Sequence, residues 1–240
     1  MEFDPEYARK VRSFYLPFFA DCRSVLDLAT GRGEFLGLLH DAGVPAVGVD
    51  LDPLMVKAAR AAGHTVKEGD AFDFLRGHEA AFDGIFSAHF IEHLPSERVI
   101  ELIGLAVRAL RPGGRLVVCT PNAESLPTLQ RQFWWDATHV RMYDVELLKF
   151  MAADAGLESV EGGVNPLNDP GCPIDVEALQ PPPLRRLPAR GRLAAALGLR
   201  RLDQRTQEMH HHLQVLSDSL SGLVRALYAP SEIYVSGRKP

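Results

Sequence analysis

Two short stretches of this 240-residue chain carry side chains spaced for chemistry. His89, Glu92 and His93 stand at i, i+3 and i+4, so on a helical turn they project from one face. The stretch from Phe133 to Arg141 adds Asp136 and His139 beside Trp134 and Trp135. Imidazole and carboxylate groups converging from two loops suit a divalent ion with open positions, such as Mg2+ or Mn2+. The expected ligands are His89, Glu92, His93 and His139. Without an ion, His139 or His93 is the candidate general base and Asp136 the group that orients it. Spacing alone does not separate His139 as ligand from His139 as base.

Such groups need a scaffold, and the chain reads as alternating strands and helices. Val25 to Leu28 is an apolar run that ends in small residues, and a helical pattern starts at Glu34. Gly31 and Gly33 leave the backbone bare where the next helix points its free N–H groups. A dinucleotide fingerprint would need a third glycine where this chain has Leu36. Residues 46–50 form a second strand ending on Asp50, placed to accept the hydroxyls of a ribose. Asp52 and Pro53 read as helix cap and first helical residue. Residues 64–71 give a third strand and its exit at Asp70, which by itself reads equally as a turn carboxylate. Strands at 81–89 and 115–122 follow, separated by a helix and a turn at 111–114. A helix at 145–155, a sixth strand at 157–161 and a last strand at 232–238 complete the pattern. A helix over residues 5–19, kinked or ended by Pro17, precedes the first strand. Arg9 and Arg12 on it read as a solvated face or as partners for a ligand carboxylate.

These motifs resemble class I S-adenosylmethionine-dependent methyltransferases, over roughly residues 20–125. Asp27, Gly31 and Gly33 match the first motif, with Ala29 where a first glycine is usual. The sequence "FDGIFSAHFIEHL … LRPGGRLVVCTPN" matches the segment around the fourth and fifth strands. The resemblance implies a Rossmann-like seven-stranded α/β sheet with a helical insertion before the last strand. It implies a cofactor site drawn from Asp27, Ala29, Gly31, Gly33, Asp50, Leu51, Asp70, Ala71 and Ser87, with Asp70 and Ala71 at the adenine. The His89–His93 segment is similar to metal-dependent methyltransferases acting on vicinal diols and to quinone-pathway O-methyltransferases. Other family members carry Glu–His–Leu there and bind no metal. "FWWDATHVRMYD" is similar to a segment of methyltransferases that act on bacterial polysaccharides. The aromatic residues suit a sugar ring, and at least one tryptophan is expected to pack inward.

The expected domains are a core of residues 1–164 plus 230–240 and an insertion at 165–229. The insertion opens on Pro181–Pro182–Pro183 and a basic stretch of Arg185, Arg186, Arg190, Arg192, Arg200 and Arg201. Leu202, Met209, Leu213, Leu216, Leu220, Leu223 and Leu227 then form a heptad seam, interrupted at Thr206, which predicts dimerisation or packing over the active-site mouth. Gly222 weakens that helix, and His210–His211–His212 fan around it as surface residues. A formal net charge of −5 argues against nucleic acid. The chain reads as cytoplasmic, with three irregularly spaced cysteines, no secretion signal and no apolar run of membrane-spanning length.

The leading expectation is therefore an O-methyltransferase acting on a sugar hydroxyl of an oligosaccharide, polysaccharide or glycolipid, assisted by a divalent ion. A small phenolic or quinone acceptor is the alternative within that chemistry. A non-catalytic protein that holds the cofactor and recruits a partner through its heptad helix is the alternative outside it.

Overall fold

The computed structural model describes residues 4–183 and 199–240. Arg185, Arg186, Arg190 and Arg192 lie outside them, as does the side chain of Arg200. The chain divides into two compact units, Met1–Pro170 with Pro230–Pro240, and Gly171–Ala229. Residues 165–170, expected in the insertion, belong to the first unit. The buried Asn165 donates from Nδ2 to the Val11 carbonyl (3.0 Å) and to Glu232 Oε1 (2.7 Å). The Asn168 carbonyl accepts from the Ser231 N–H at 2.7 Å. Breaking these bonds would strand buried polar groups, so the segment stays with the core.

The first unit holds a seven-stranded sheet among the described residues, the Rossmann-like arrangement of class I methyltransferases. Its strands are β1 (Val25–Leu28), β2 (Ala46–Asp50), β3 (Val66–Glu68), β4 (Phe82–Ala88), β5 (Leu110–Pro121), β6 (Glu158–Val164) and β7 (Glu232–Arg238). Their order is β3-β2-β1-β4-β5-β7-β6. β1 pairs in parallel with β2 and β4, whereas β7 runs antiparallel to β5 and β6. The order reverses between β1 and β4, and a crevice opens at such a switch point beyond the carboxyl ends of the strands. All four β1 side chains are buried, as expected for a parallel strand covered on both faces.

The crossover helices are α2 (Glu34–Asp41), α3 (Pro53–Ala61), α4 (Ala71–Arg76), α5 (Ser96–Ala109) and α6 (Val145–Asp154). α5 turns Val99, Leu102, Ile103, Ala106 and Val107 into the core. The N-terminal helix α1 (Pro5–Ser13) stops short of Pro17, and a 3-10 turn covers Leu16–Phe19. Pro17 has no N–H for a continuous helical ladder, and the rewound turn buries Tyr15 and Phe19 fully. The turn expected at 111–114 is instead part of β5. A register shift against β4 between Phe82 and Gly84 absorbs the extra residues, and Gly113 takes φ +78° there.

In the second unit, α7 (Leu199–Leu227) runs straight through Gly222. Gln214 Nε2 donates to Asp218 Oδ1 at 3.2 Å and to Gln180 Oε1. Among the described residues no helix is long and apolar enough to cross a membrane.

Candidate functional site

At the end of β1 the chain makes a tight, left-handed turn. Ala29, Gly31 and Gly33 take φ values of 53°, 59° and 88°. The alanine carries a strain of about 1 kcal/mol that a glycine would not. A Cβ on Gly31 would meet nothing nearer than Glu34 Oε2 at 4.0 Å, whereas one on Gly33 would strike His64 Cδ2 at 2.6 Å. Gly31 therefore keeps a cradle open at the start of α2, and Gly33 permits helix packing.

The Gly31 N–H donates to Asp50 Oδ2 at 2.8 Å, and Asp50 Oδ1 accepts from the Asp52 N–H at 2.9 Å. Asp50 thus stands beside the cradle with lone pairs left over. Asp27 lies beneath it, 3% exposed, accepting from Thr30 Oγ1. Burial pushes its carboxyl up to about 7, against the opposing Thr30 bond and the Arg12 charge. Ser87 stands opposite Leu28 on β4, fully buried, with its Oγ unpartnered. Leu51 is exposed at the lip.

An open backbone cradle, a ribose-type acceptor and an orphaned hydroxyl fit an adenosyl ligand bearing an amino-acid tail. Asp70 caps α4 through Oδ1, which leaves Oδ2 beside the strand end. Its carboxylate accepts from the Phe72 and Asp73 N–H groups at the start of α4, just before the buried Ala71. Arg9 pairs with Asp41 and lines a cavity with Arg32, Gly33 and Glu34 beside the cradle, while Arg12 is half-buried.

The segment after β4 does not form the expected single helical face. His89 has φ +51° and donates its N–H to the Cys119 carbonyl, and a 3-10 turn then covers Ile91–His93. His89 faces inward, with Nε2 at 2.5 Å from Glu232 Oε2 and Nδ1 at 3.1 Å from Glu92 Oε1. Burial alone would lower its pKa. The Glu232 and Glu92 carboxylates outweigh burial and raise it to about 10. Both ring nitrogens are engaged by carboxylates, and the potential ligand atoms that converge are those of Glu92, His93 and His139, so the structure leaves His89 out of the cluster its spacing predicts.

Glu232 accepts from His89, from Tyr15 Oη at 2.6 Å and from Asn165, and these bonds hold its carboxyl below the usual range despite complete burial. Glu232, Tyr15 and Asn165 escape the sequence reading. A lone carboxylate opening the apolar strand β7 is the one visible signal.

Glu92, His93 and His139 do come together, with one potential ligand atom from each within 4.8 Å of the others. Hydrogen bonds fix both tautomers. His139 Nδ1 donates to the Phe133 carbonyl at 2.6 Å. His93 Nδ1 lies 2.8 Å from Thr138 Oγ1, whose own proton goes to Asp136 Oδ1 at 2.6 Å, so the imidazole donates. Each ring keeps its Nε2 lone pair free, and outer bonds of this kind are what metal-ligating histidines make. Asp136 acts through Thr138 and does not touch the imidazole directly. The two Thr138 bonds hold its carboxyl below the usual range. The Val140 N–H donates to the Glu92 carbonyl at 2.7 Å, which clamps the second loop onto the first.

A cavity of about 290 Å³ adjoins this cluster, lined by Tyr7, His89, Gln132, Phe133, Trp135 and His139 among others. Neither tryptophan packs inward. Trp134 and Trp135 are 67% and 52% exposed, and Phe133 is the buried aromatic. The three share a 3-10 turn, where successive side chains point about 120° apart and one alone can face the core.

Comparison with known proteins identifies the scaffold. Ubiquinone biosynthesis O-methyltransferase of Xylella fastidiosa is 32% identical over 106 residues, which cover 41% of this chain and 42% of that protein. The chain thus matches less than half the length of these curated relatives. A crystal structure of a SAM-dependent methyltransferase from Archaeoglobus fulgidus superimposes with TM-score 0.76 at 26% identity, covering 98% of this chain and 95% of that one. Phosphoethanolamine N-methyltransferase 2 of Haemonchus contortus, solved with S-adenosyl-L-methionine, shares the fold at 18% identity and TM-score 0.56, covering 91% of this chain and 49% of that one. The methyltransferase-domain family matches residues 2–161, two thirds of the chain, and the chain belongs to that family.

Proposed function

We propose that this chain is an S-adenosylmethionine-dependent O-methyltransferase whose acceptor is a sugar hydroxyl. The observation that carries the chemistry is the pair of imidazoles, His93 and His139, each with its Nε2 lone pair directed by a bond at Nδ1 and each close to Glu92. S-adenosylmethionine supplies an electrophilic methyl group on a sulfonium whose departure leaves a neutral thioether. The site for it is the Gly31 cradle with Asp50, Asp27 and Ser87. The acceptor oxygen forms the new C–O bond as the C–S electron pair passes to sulfur, and the hydroxyl proton goes to His139 Nε2. A neutral alcohol is a weak nucleophile, so this proton acceptor is worth about 10²–10⁴ in rate.

In the alternative arrangement Glu92, His93 and His139 would hold Mg2+ or Mn2+; the His139 Nε2 lone pair would then be taken by the ion, which would supply Lewis acidity toward the acceptor hydroxyl in place of the base. The exposed faces of Trp134 and Trp135 beside Gln132 and His139 combine flat apolar surface with hydrogen-bonding groups, the pairing a sugar ring requires. A small phenolic or quinone acceptor is favoured instead by the names of the curated relatives.

Radiolabelled methyl transfer to saccharide and catechol panels tests the reading, in chelator and with Mg2+ or Mn2+ restored. His139→Ala is expected to lower turnover at least about 100-fold with cofactor affinity unchanged. Full turnover in chelator removes the metal and leaves the base. Methylation of catechols alone removes the sugar. Full activity of His139→Ala removes the mechanism.

A further inference from the structure

The heptad seam of α7 is covered by nothing in the described residues. Leu202, Met209, Leu213, Leu216, Leu220, Leu223 and Leu227 are all exposed, between 38% and 65%. The residues buried on the same helix are Ser217, Ser221 and Val224, on a neighbouring stripe. A long helix that buries serines and presents its leucines to water has left its most apolar face for another molecule.

We infer that the occupant is α7 of a second copy of this chain, packed antiparallel. The seam positions 202, 206, 209, 213, 216, 220, 223 and 227 read with the same spacing in both directions. An antiparallel pair therefore matches Leu202 with Leu227 and Leu213 with Leu216 of the other copy, layer by layer. Such a two-fold contact uses one self-complementary patch twice. The seam offers roughly 700 Å² of apolar surface per chain, and a pair of seams buries about twice that, within the range of stable interfaces.

Orientation follows from charge. The exposed Arg201 and Arg205 sit in the first turns of α7 and Arg225 in the last, so an antiparallel partner sets one arginine together with its negative C-terminal helix end beside them. A parallel pair would crowd the arginines of both copies together. A membrane surface fits less well, because in the sequence the arginines of α7 are offset by Asp203, Glu208 and Asp218 and the chain has a formal net charge of −5. The inference is independent of which hydroxyl is methylated.

Sedimentation equilibrium of the full chain at about 1–50 µM tests it. The expected particle has twice the 26.4 kDa chain mass, and the double variant Leu213→Asp, Leu220→Asp is expected to sediment as a monomer with unchanged circular dichroism. Should that variant misfold, the orientation has its own test in the chain carrying Leu202→Cys and Leu227→Cys on a Cys172→Ser background. Oxidation should link two chains through that pair, since about 37 Å of helix keeps the two cysteines of one chain apart. A wild-type monomer across the range, with or without binding to anionic vesicles, overturns the inference. So does a dimer that survives both aspartates. Chains linked by Leu202→Cys alone are parallel, which overturns the pairing proposed.

Discussion

Asp27 in β1 and Glu232 at the start of β7 are both buried carboxylates, and their environments treat them in opposite ways. Asp27 has one hydroxyl donor, Thr30, and the distant charge of Arg12, and burial wins, so its carboxyl rises to about 7. Glu232 has a phenol, an amide and an imidazolium, and its carboxyl falls below the usual range although it is fully buried. Desolvation is similar in kind at both sites, and what differs is the number and charge of the donors within hydrogen-bond reach. Glu232 holds together a network of parts far apart in the chain, with Tyr15 before β1, His89 after β4 and Asn165 after β6. Asp27 remains a polar group short of partners beneath an open cradle, the condition of a residue prepared for a ligand more than for stability.

The largest expected effect tests the satisfied end. Glu232→Gln leaves the His89 imidazolium facing an amide, and breaking a buried pair in this way costs about 3–5 kcal/mol, read by urea unfolding at pH 7. The sign with pH follows from the raised His89 value. Its contribution is fully present below the unfolded value near 6.5 and is lost as pH rises through about 10. The gap between wild type and variant should therefore close toward pH 10. A gap that stays constant across this range would mean that the imidazole is neutral and the network is held by hydrogen bonds alone.

A smaller effect of opposite sign tests the unsatisfied end. The raised Asp27 carboxyl favours the folded protein fully below about 3.8, and this contribution is lost as pH rises through about 7. Asp27→Asn removes that slope. It is expected to match wild type near pH 4 and to exceed it at pH 8 by at most about 4 kcal/mol, measured by thermal melts without cofactor. An asparagine variant less stable than wild type at pH 8 would show that the Thr30 and Arg12 interactions already satisfy the carboxylate, and the contrast between the two ends would fail.

The smallest effect is local. Ala29→Gly should relieve the left-handed strain above Asp27 and stabilise the folded chain by up to about 1 kcal/mol, less the entropy that glycine adds to the unfolded state. Destabilisation instead would mean that the alanine methyl packs usefully and that the turn is not strained.

The elements of the sheet were legible because each has its own local signal. β1 is an apolar run closed by small residues, α2 follows its glycines at once, α3 begins at the Asp52 cap, and β7 carries a short apolar run. The cradle was legible for the same reason, since Gly31, Asp50 and the β1 turn are read from neighbours in the chain. The charged network was not. Reading His89, Glu92 and His93 as one helical face required a helix, and the 3-10 turn that forms after the positive φ of His89 sends His89 to the other side. Thr138 carries no sequence mark of its role between Asp136 and His93. The tryptophans misled because composition marks them as core-formers while a three-residue turn admits one inward side chain.

The amino-acid order by itself therefore determined the fold family, the strand ends that gather the site and the apolar seam of α7. Those features depend on periodicity, caps and turn chemistry, which act over a few residues. Only the tertiary structure decided which imidazole is pinned between two carboxylates and which two are held through Nδ1, and which buried carboxylate is satisfied. Those outcomes depend on donors supplied by Tyr15, Asn165 and Glu232, whose separation along the chain exceeds the reach of any local rule. Electrostatics in a low-dielectric interior is set by the few groups that arrive within about 3 Å.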